Sequence, residues 1–250
     1  MDRMIYSALS AMRGGMARQQ ATANNLANVS TTGFRADMAN ADAIYLNTGP
    51  SAGSSIGRAQ SREAVLAADM HAGTVSQTGN PMDVAMGGDT MLAVSDGVGD
   101  PAYTRRGDLS VTADGLLQTG DGFLVLGEGG SPLSVPPADS VRIAGDGGVW
   151  IVPVGGDATQ PQQVGRLQLA NAGGSRILKG SDNLFRVPGG GVLPDDATAR
   201  LIPGALESSN VNPTDALIQM IDSARAYETN VKMLMTAQSI DEAGASLMRD

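Results

Sequence analysis

The chain has 250 residues, a formal net charge of -9 and no cysteine, which excludes disulfide scaffolds, thiol catalysis, iron–sulfur clusters and thiolate zinc sites together. A single histidine, His71, excludes multi-histidine metal sites, and 26 carboxylates against 17 basic side chains oppose nucleic-acid binding, which needs a basic footprint. No run of eighteen apolar residues is present to cross a bilayer, and Met1–Gln20, broken by Arg3, Arg13 and Arg18, lacks the continuous apolar core of a secretory signal.

The first predicted element is a helix. Ile5, Leu9, Met12, Met16, Ala23 and Leu26 keep to a heptad seam in which Gln19 is the one polar occupant. The turn formers Asn28-Val29-Ser30-Thr31-Thr32-Gly33 end it. Residues 34–72, rich in Ala, Asn and Ser, read as a partly extended connector.

Beyond Gly73 short β-prone runs alternate with turn dipeptides. Asp108–Thr112 leads through Ala113-Asp114-Gly115 into Leu116–Thr119, then Gly120-Asp121-Gly122 into Phe123–Leu126. Val141–Ala144, Gly145-Asp146-Gly147-Gly148 and Val149–Val152 predict a second hairpin, because Asp-Gly between alternating apolar runs suits a tight turn. Val164–Leu169 alternates as a further strand. Helix returns at Asn212-Pro213-Thr214-Asp215, with Thr214 or Asp215 as the cap. Leu217, Met220, Ile221, Ala224, Tyr227, Val231, Leu234 and Met235 then form an amphipathic stripe of about five turns.

These elements predict an α+β chain. Residues 1–33 and 205–250 would make a coiled-coil-like inner helical domain, 34–72 the connector, and 73–204 a central antiparallel β domain. The two ends carry opposite charge: Arg3, Arg13, Arg18 and Arg35 against Asp2 at one, seven carboxylates against Arg225, Lys232 and Arg249 at the other. An isolated helix of this length is marginal in water, so the ends are expected to order fully within a larger assembly. An intramolecular hairpin of the two helices, packed on the β domain, satisfies the same periodicity.

Ala23-Asn24-Asn25-Leu26-Ala27-Asn28-Val29-Ser30-Thr31-Thr32-Gly33-Phe34-Arg35 strongly resembles the N-terminal signature of the bacterial flagellar rod and hook proteins. Leu206–Asn212, followed by Ala224-Arg225-Ala226-Tyr227-Glu228, is similar to that family's closing motif. Gly79-Asn80-Pro81-Met82-Asp83-Val84-Ala85 and Tyr103-Thr104-Arg105-Arg106-Gly107-Asp108 are similar to its central motifs. The four stand in the family's order across nearly the whole chain. The opening Met1-Asp2-Arg3-Met4-Ile5-Tyr6 and the length resemble the proximal-rod members more than the distal-rod or hook members, which stay as alternatives.

The resemblance implies a structural subunit of the proximal rod in the flagellar basal body, in the periplasm. It implies that the terminal helices polymerise into the inner tube of a torque-transmitting shaft with an axial export channel. The implied partners are further copies of the chain, other proximal- and distal-rod subunits and the flagellar type III export apparatus. No nucleic acid, small-molecule substrate or cofactor is implied. Assembly would rest on Ile5, Leu9, Met12, Met16 and Leu26 of one helix and Leu217, Ile221, Ala224, Tyr227, Val231 and Leu234 of the other. Asn24, Asn25, Asn28 and Thr32 would satisfy backbone groups where helix, connector and neighbouring subunits meet, although ordinary helix termination accounts for the asparagines equally simply. Gly33 would let the chain turn and Phe34 anchor it.

Catalysis finds little support. His71 has no nucleophile in its sequence context, the Asp-Gly pairs lack calcium-loop spacing, and Gly145–Gly148 and Gly189–Gly191 do not lead from strand into helix as a phosphate loop does. The competing class is a periplasmic β-domain binding module on a helical stalk.

Overall fold

The computed structural model describes residues 2–46, 58–97, 99–196 and 198–247. Contacts divide the chain into two units built from interleaved segments: Met1–Ala27, Asp37–Asp69 and Asn212–Asp250 form a helical unit, Asn28–Ala36 and Met70–Val211 a β unit. The fold is thus α+β, with antiparallel pairing in every sheet described. The unit boundaries fall elsewhere than the predicted ones: residues 37–69 of the connector cluster with the helices, while 28–36, 70–72 and 205–211 cluster with the β strands.

In the helical unit, α1 (Asp2–Ala27) packs against α2 (Pro213–Leu247) and against a long ribbon of β1 (Asp37–Leu46) and β2 (Arg58–Ala68). The ribbon is antiparallel, with Asp37 opposite Ala68 and Leu46 opposite Arg58, and its register shifts between Met38 and Asn40. The connector is therefore paired where it is described, rather than merely extended. The cap of α2 is Asn212, whose Oδ1 accepts the Thr214 N–H at 3.0 Å, not Thr214 or Asp215. Pro213 takes the first helical position, where its missing N–H costs nothing. At 35 residues α2 runs well past the predicted five turns. No described helix is long and apolar enough to cross a membrane.

Burial on α1 follows a row other than the heptad seam. Gly14 and Ala21 are buried and Ser10, Ala17 and Asn24 half-buried, a row of small residues at steps of 4, 3, 4 and 3. On α2 the matching row is Ala216, Met220, Ser223, Tyr227, Asn230, Leu234 and Ala237, buried at both ends and half-buried at most positions between. Small side chains let two helix backbones approach closely, since the interaxial distance follows the residues at the contact.

The larger side chains occupy other faces. On α1, Leu9, Met12, Met16, Gln19, Ala23 and Leu26 form a second heptad row, about 150° round the helix from the first at 100° per residue. Met16 is 57% exposed. On α2, Leu217, Ile221, Ala224, Glu228, Val231 and Met235 form another such row, with Met235 66% exposed. Ile218, Met233 and Ile240 are exposed on a further side. Apolar side chains thus occur on several sides of α2, where a single stripe was predicted, interspersed with charged residues such as Asp222, Arg225 and Lys232.

In the β unit the largest sheet joins β5 (Thr90–Ser95), β6 (Ala102–Thr104), β7 (Leu109–Val111), β8 (Leu117–Thr119), β9 (Leu124–Val125), β13 (Leu169–Asn171), β14 (Leu178–Lys179) and β15 (Phe185–Arg186). A three-stranded sheet holds β10 (Ala138–Ile143), β11 (Gly148–Pro153) and β12 (Gln162–Arg166). Two short pairs complete the unit: β3 (Val75–Gln77) with β17 (Ala205–Glu207), and β4 (Val84–Met86) with β16 (Leu201–Pro203). Leu92, Val94, Leu117, Val125, Val149 and Leu167 lie at the centre of the core, each almost wholly buried. The two Asp-Gly hairpins form as predicted, β7 to β8 and β10 to β11, the second closed by Ala144 N–H on the Gly148 carbonyl at 2.8 Å. Val164–Leu169 is not one strand: β12 pairs with β11 while β13 pairs with β5. Alternation marks extended chain but carries no sign of a change of partner.

Candidate functional site

The chain enters or leaves the β unit at four points, next to Asn28, Ala36, Met70 and Val211. Within that unit two side chains of the closing motif gather the segments flanking these points. Glu207 is almost completely buried. Its Oε1 accepts Arg35 Nη2 at 2.6 Å and the Gly73 N–H at 2.8 Å, and its Oε2 accepts Arg105 Nε at 2.9 Å. Its carbonyl accepts the Gly33 N–H at 2.7 Å. Asn210 does the same for three more groups: Oδ1 accepts the Ala36 N–H at 2.8 Å, Nδ2 donates to the His71 carbonyl at 3.0 Å, and its N–H donates to the Phe34 carbonyl at 3.3 Å.

Arg105 spends its remaining donors on backbone, Nη1 on Gly88 and Thr90 and Nη2 on Met86, so a buried guanidinium is compensated in both charge and hydrogen bonds. Gly33 has φ +67°, and a Cβ there would sit 2.3 Å from the Arg105 carbonyl oxygen, so both its conformation and its closeness to the second motif require glycine. Phe34 is buried at 3% exposure beneath Lys179, whose Nζ lies 3.6 Å from the ring centroid and donates to the Arg35 carbonyl at 2.7 Å.

The remaining motif residues knit the same region. Asp83 accepts Thr78 Oγ1 at 2.6 Å and Asn80 Nδ2 at 2.8 Å, and the Val84 N–H reaches the Gly107 carbonyl at 3.0 Å. Tyr103 accepts the Leu193 N–H at 2.7 Å. Burial raises its hydroxyl above the ordinary phenol range, with Asp195 and Asp100 adding to the rise and the Leu193 bond opposing it. Within the β unit, residues from all four motifs (Gly33 to Arg35, Val84, Arg105, Gly107 and Glu207) thus meet around one buried joint. The joint is packed and internally satisfied at Glu207, with its carboxylate committed to structure. Among the described residues no group of three His, Cys, Asp or Glu is placed to hold a metal ion.

The residues expected at an assembly interface separate into two groups. Leu9, Met16, Leu217, Ile221, Ala224 and Tyr227 are exposed on the helices, and Met12, Leu26, Val231 and Leu234 are half-buried. The Ile5 side chain lies outside the described residues. Asn24 and Asn25 bind the first residue of the ribbon: Asn24 Nδ2 donates to the Asp37 carboxylate, while Asn25 donates to the Asp37 carbonyl at 3.0 Å and accepts its N–H at 2.7 Å. Asn28 Oδ1 accepts Thr31 Oγ1 at 3.1 Å in the turn after α1. Thr32, Gly33 and Phe34 belong to the β unit, where Gly33 and Phe34 are buried and serve the chain's own joint.

Three stretches match known families. Residues 5–35 match "Flagella basal body rod protein", residues 85–151 "Flagellar hook protein FlgE/F/G D1 domain", and residues 202–247 "Flagellar basal body rod FlgEFG protein C-terminal". The chain is 39% identical to the flagellar basal-body rod protein FlgF of Escherichia coli (strain K12), over 98% of this chain and 96% of that protein. The chain belongs to the flagellar basal-body rod protein family. FlgF of Salmonella typhimurium is 37% identical over 97% of this chain and 95% of its own, and FlgG of Bacillus subtilis (strain 168) is 32% identical over the whole of both. The flagellar resemblance carried by the four motifs therefore holds along the full length.

Arg35, Arg105 and Glu207 escaped prediction as site residues although each stands inside a motif. Their sequence signal is a charge in an otherwise small or apolar stretch, as in Phe34-Arg35 and Leu206-Glu207. Such a charge reads equally well as exposed until its partner is known.

Proposed function

We propose that this chain is a structural subunit of the proximal rod, joining other copies and related rod subunits through its two terminal helices. The reading rests on one observation above all: each helix leaves a second heptad row largely exposed, with Leu9 and Met16 on α1 and Leu217, Ile221 and Met235 on α2 open to solvent. Fully burying a Leu, Ile or Met side chain contributes roughly 1.5–3 kcal/mol, so Leu9, Met16, Leu217, Ile221 and Met235 together supply a strong drive to find further helices. In a tube every helix has neighbours on two sides, which is what two heptad rows per helix provide. The coiled-coil-like packing expected of the ends is then completed between subunits.

The work is mechanical. The shaft transmits torque in the periplasm around an axial channel, and subunits reach it by flagellar type III export, ordering their helices on docking. The identities of 39% and 37% to two FlgF proteins support the proximal rod over the distal. Met16→Asp or Ile221→Asp places a charge on an outward row without touching the β core. Each variant is expected to abolish rod assembly and swimming while the thermal transition of the β unit stays in place. Swimming cells carrying either variant would refute the reading.

A further inference from the structure

We propose that the outward row of α1 docks antiparallel on the outward row of α2 of a second copy of this chain, in the one register that sets Gln19 against Glu228. The inference rests on the subunit reading above and adds to it a partner face, a direction and a register.

From Leu9 to Leu26 the α1 row is apolar except for Gln19, and from Leu217 to Met235 the α2 row is apolar except for Glu228, with Gln238 and Glu242 continuing it toward the helix end. Gln19 and Glu228 are both exposed, and neither has a hydrogen-bond or ion-pair partner among the described residues. With α2 reversed, the steps of 3 and 4 in the two rows coincide along their length. Met12 then faces Met235, Met16 faces Val231, Gln19 faces Glu228, Ala23 faces Ala224 and Leu26 faces Ile221. Leu9 falls on Gln238 at the edge of the overlap; from Met12 to Leu26 large residues meet large, small meets small, and the Gln19 Nε2–H donates to the Glu228 carboxylate.

The alignments one heptad to either side fail, and a slide of two heptads, which sets Gln19 on Glu242, puts Ala23 on Gln238 and shortens the overlap. Sliding by one heptad sets Met12 on Glu228 and Gln19 on Ile221; sliding the other way sets Gln19 on Met235 and Leu26 on Glu228. Each leaves a carboxylate and an amide against apolar side chains with no partner. No parallel alignment that keeps both heptad rows brings Gln19 opposite Glu228. A single polar pair inside an apolar helical seam is a known means of selecting one register.

The occupant is a second copy because both rows are largely exposed within one chain and so do not cover each other there. Charge agrees with the match. Arg13 and Arg18 flank the α1 row, exposed and with no ion pair among the described residues, while α2 displays Asp215, Asp222, Glu228 and Glu242 against Arg225 and Lys232 and so stays net acidic. Joining the α1 row of one copy to the α2 row of the next is a head-to-tail contact, which propagates as a ring or a helix.

The absence of native cysteine makes the register testable by disulfide trapping. Full-length chains carrying Met16→Cys and, separately, Val231→Cys are mixed, concentrated and mildly oxidised, with association followed by sedimentation. Because a disulfide needs the two Cα atoms within about 7 Å, this pair is expected to link between copies, and Met16→Cys with Ala224→Cys, one heptad away, is not. Gln19→Glu sets two carboxylates face to face and should lower the linked yield about tenfold, the loss of one charge-assisted hydrogen bond. With Gln19→Glu on the Met16→Cys chain, adding Glu228→Gln to the Val231→Cys chain should restore it. Association with the control pair linked instead, or with no rescue by Glu228→Gln, overturns the register while leaving the subunit reading intact. Chains that never associate at any concentration overturn both.

Discussion

Glu207 bridges two guanidinium groups inside the β unit with its single negative charge, and its carboxylate has almost no contact with water. Removing one member of such a cluster leaves the others charged, buried and unopposed, which costs more than the cluster itself contributes. Glu207→Gln keeps the shape and a hydrogen-bonding group but removes the charge. It should lower the stability of the β unit by about 3–5 kcal/mol, read as a reduced urea midpoint at unchanged slope. The Arg106–Asp121 pair is the contrast, at 2.6 Å but with Asp121 44% exposed. Asp121→Ala should cost less than about 1 kcal/mol, since exposed pairs are screened by solvent. Equal losses from the two substitutions would mean that Glu207 is not the keystone its burial implies.

At the scale of the helix, the choice of face matters more than the propensity to form. Ala21 is 4% exposed in the small row of α1, whereas Ala23, two residues on, is exposed in the outward row. Ala21→Leu forces extra methylene volume into a close helix contact and should cost the helical unit about 1–3 kcal/mol, seen as a lower far-ultraviolet dichroism melting temperature of the dilute chain. Ala23→Leu should leave that transition within about 0.5 kcal/mol, as surface substitutions usually do. A larger loss from Ala23→Leu would put the inward face where the sequence alone placed it. Large apolar residues at heptad spacing ordinarily mark the buried side of a helix, and here the chain buries its small ones.

Over the whole molecule, the two units differ in what holds them. The β unit has a continuous apolar core and a buried ion cluster, while the helical unit leaves much of its apolar surface in water. Segments with few buried apolar contacts open first. Limited proteolysis of the dilute chain should therefore remove α2 and then α1 while a fragment carrying residues 70–211 resists. Rod assembly should protect the helices. An α2 that resists digestion as a lone chain would mean that the helical unit is self-sufficient.

Much of this was legible in advance. Heptad spacing located both helices, Asp-Gly pairs located the two hairpins, and four motifs carried the flagellar family. Those signals are local, because turn chemistry and periodicity act over a few residues. The sequence also contains both heptad rows of each helix, but periodicity says only which residues share a face, never what covers it. Whether α1 turns Met16 or Ala21 toward α2 depends on how closely two backbones can approach, which is a property of the pair. Glu207 and Arg35 stand 172 positions apart, and nothing within either motif identifies the other as its partner. The tertiary structure alone decided that meeting, because a buried charge is stable only where folding delivers its counter-charge.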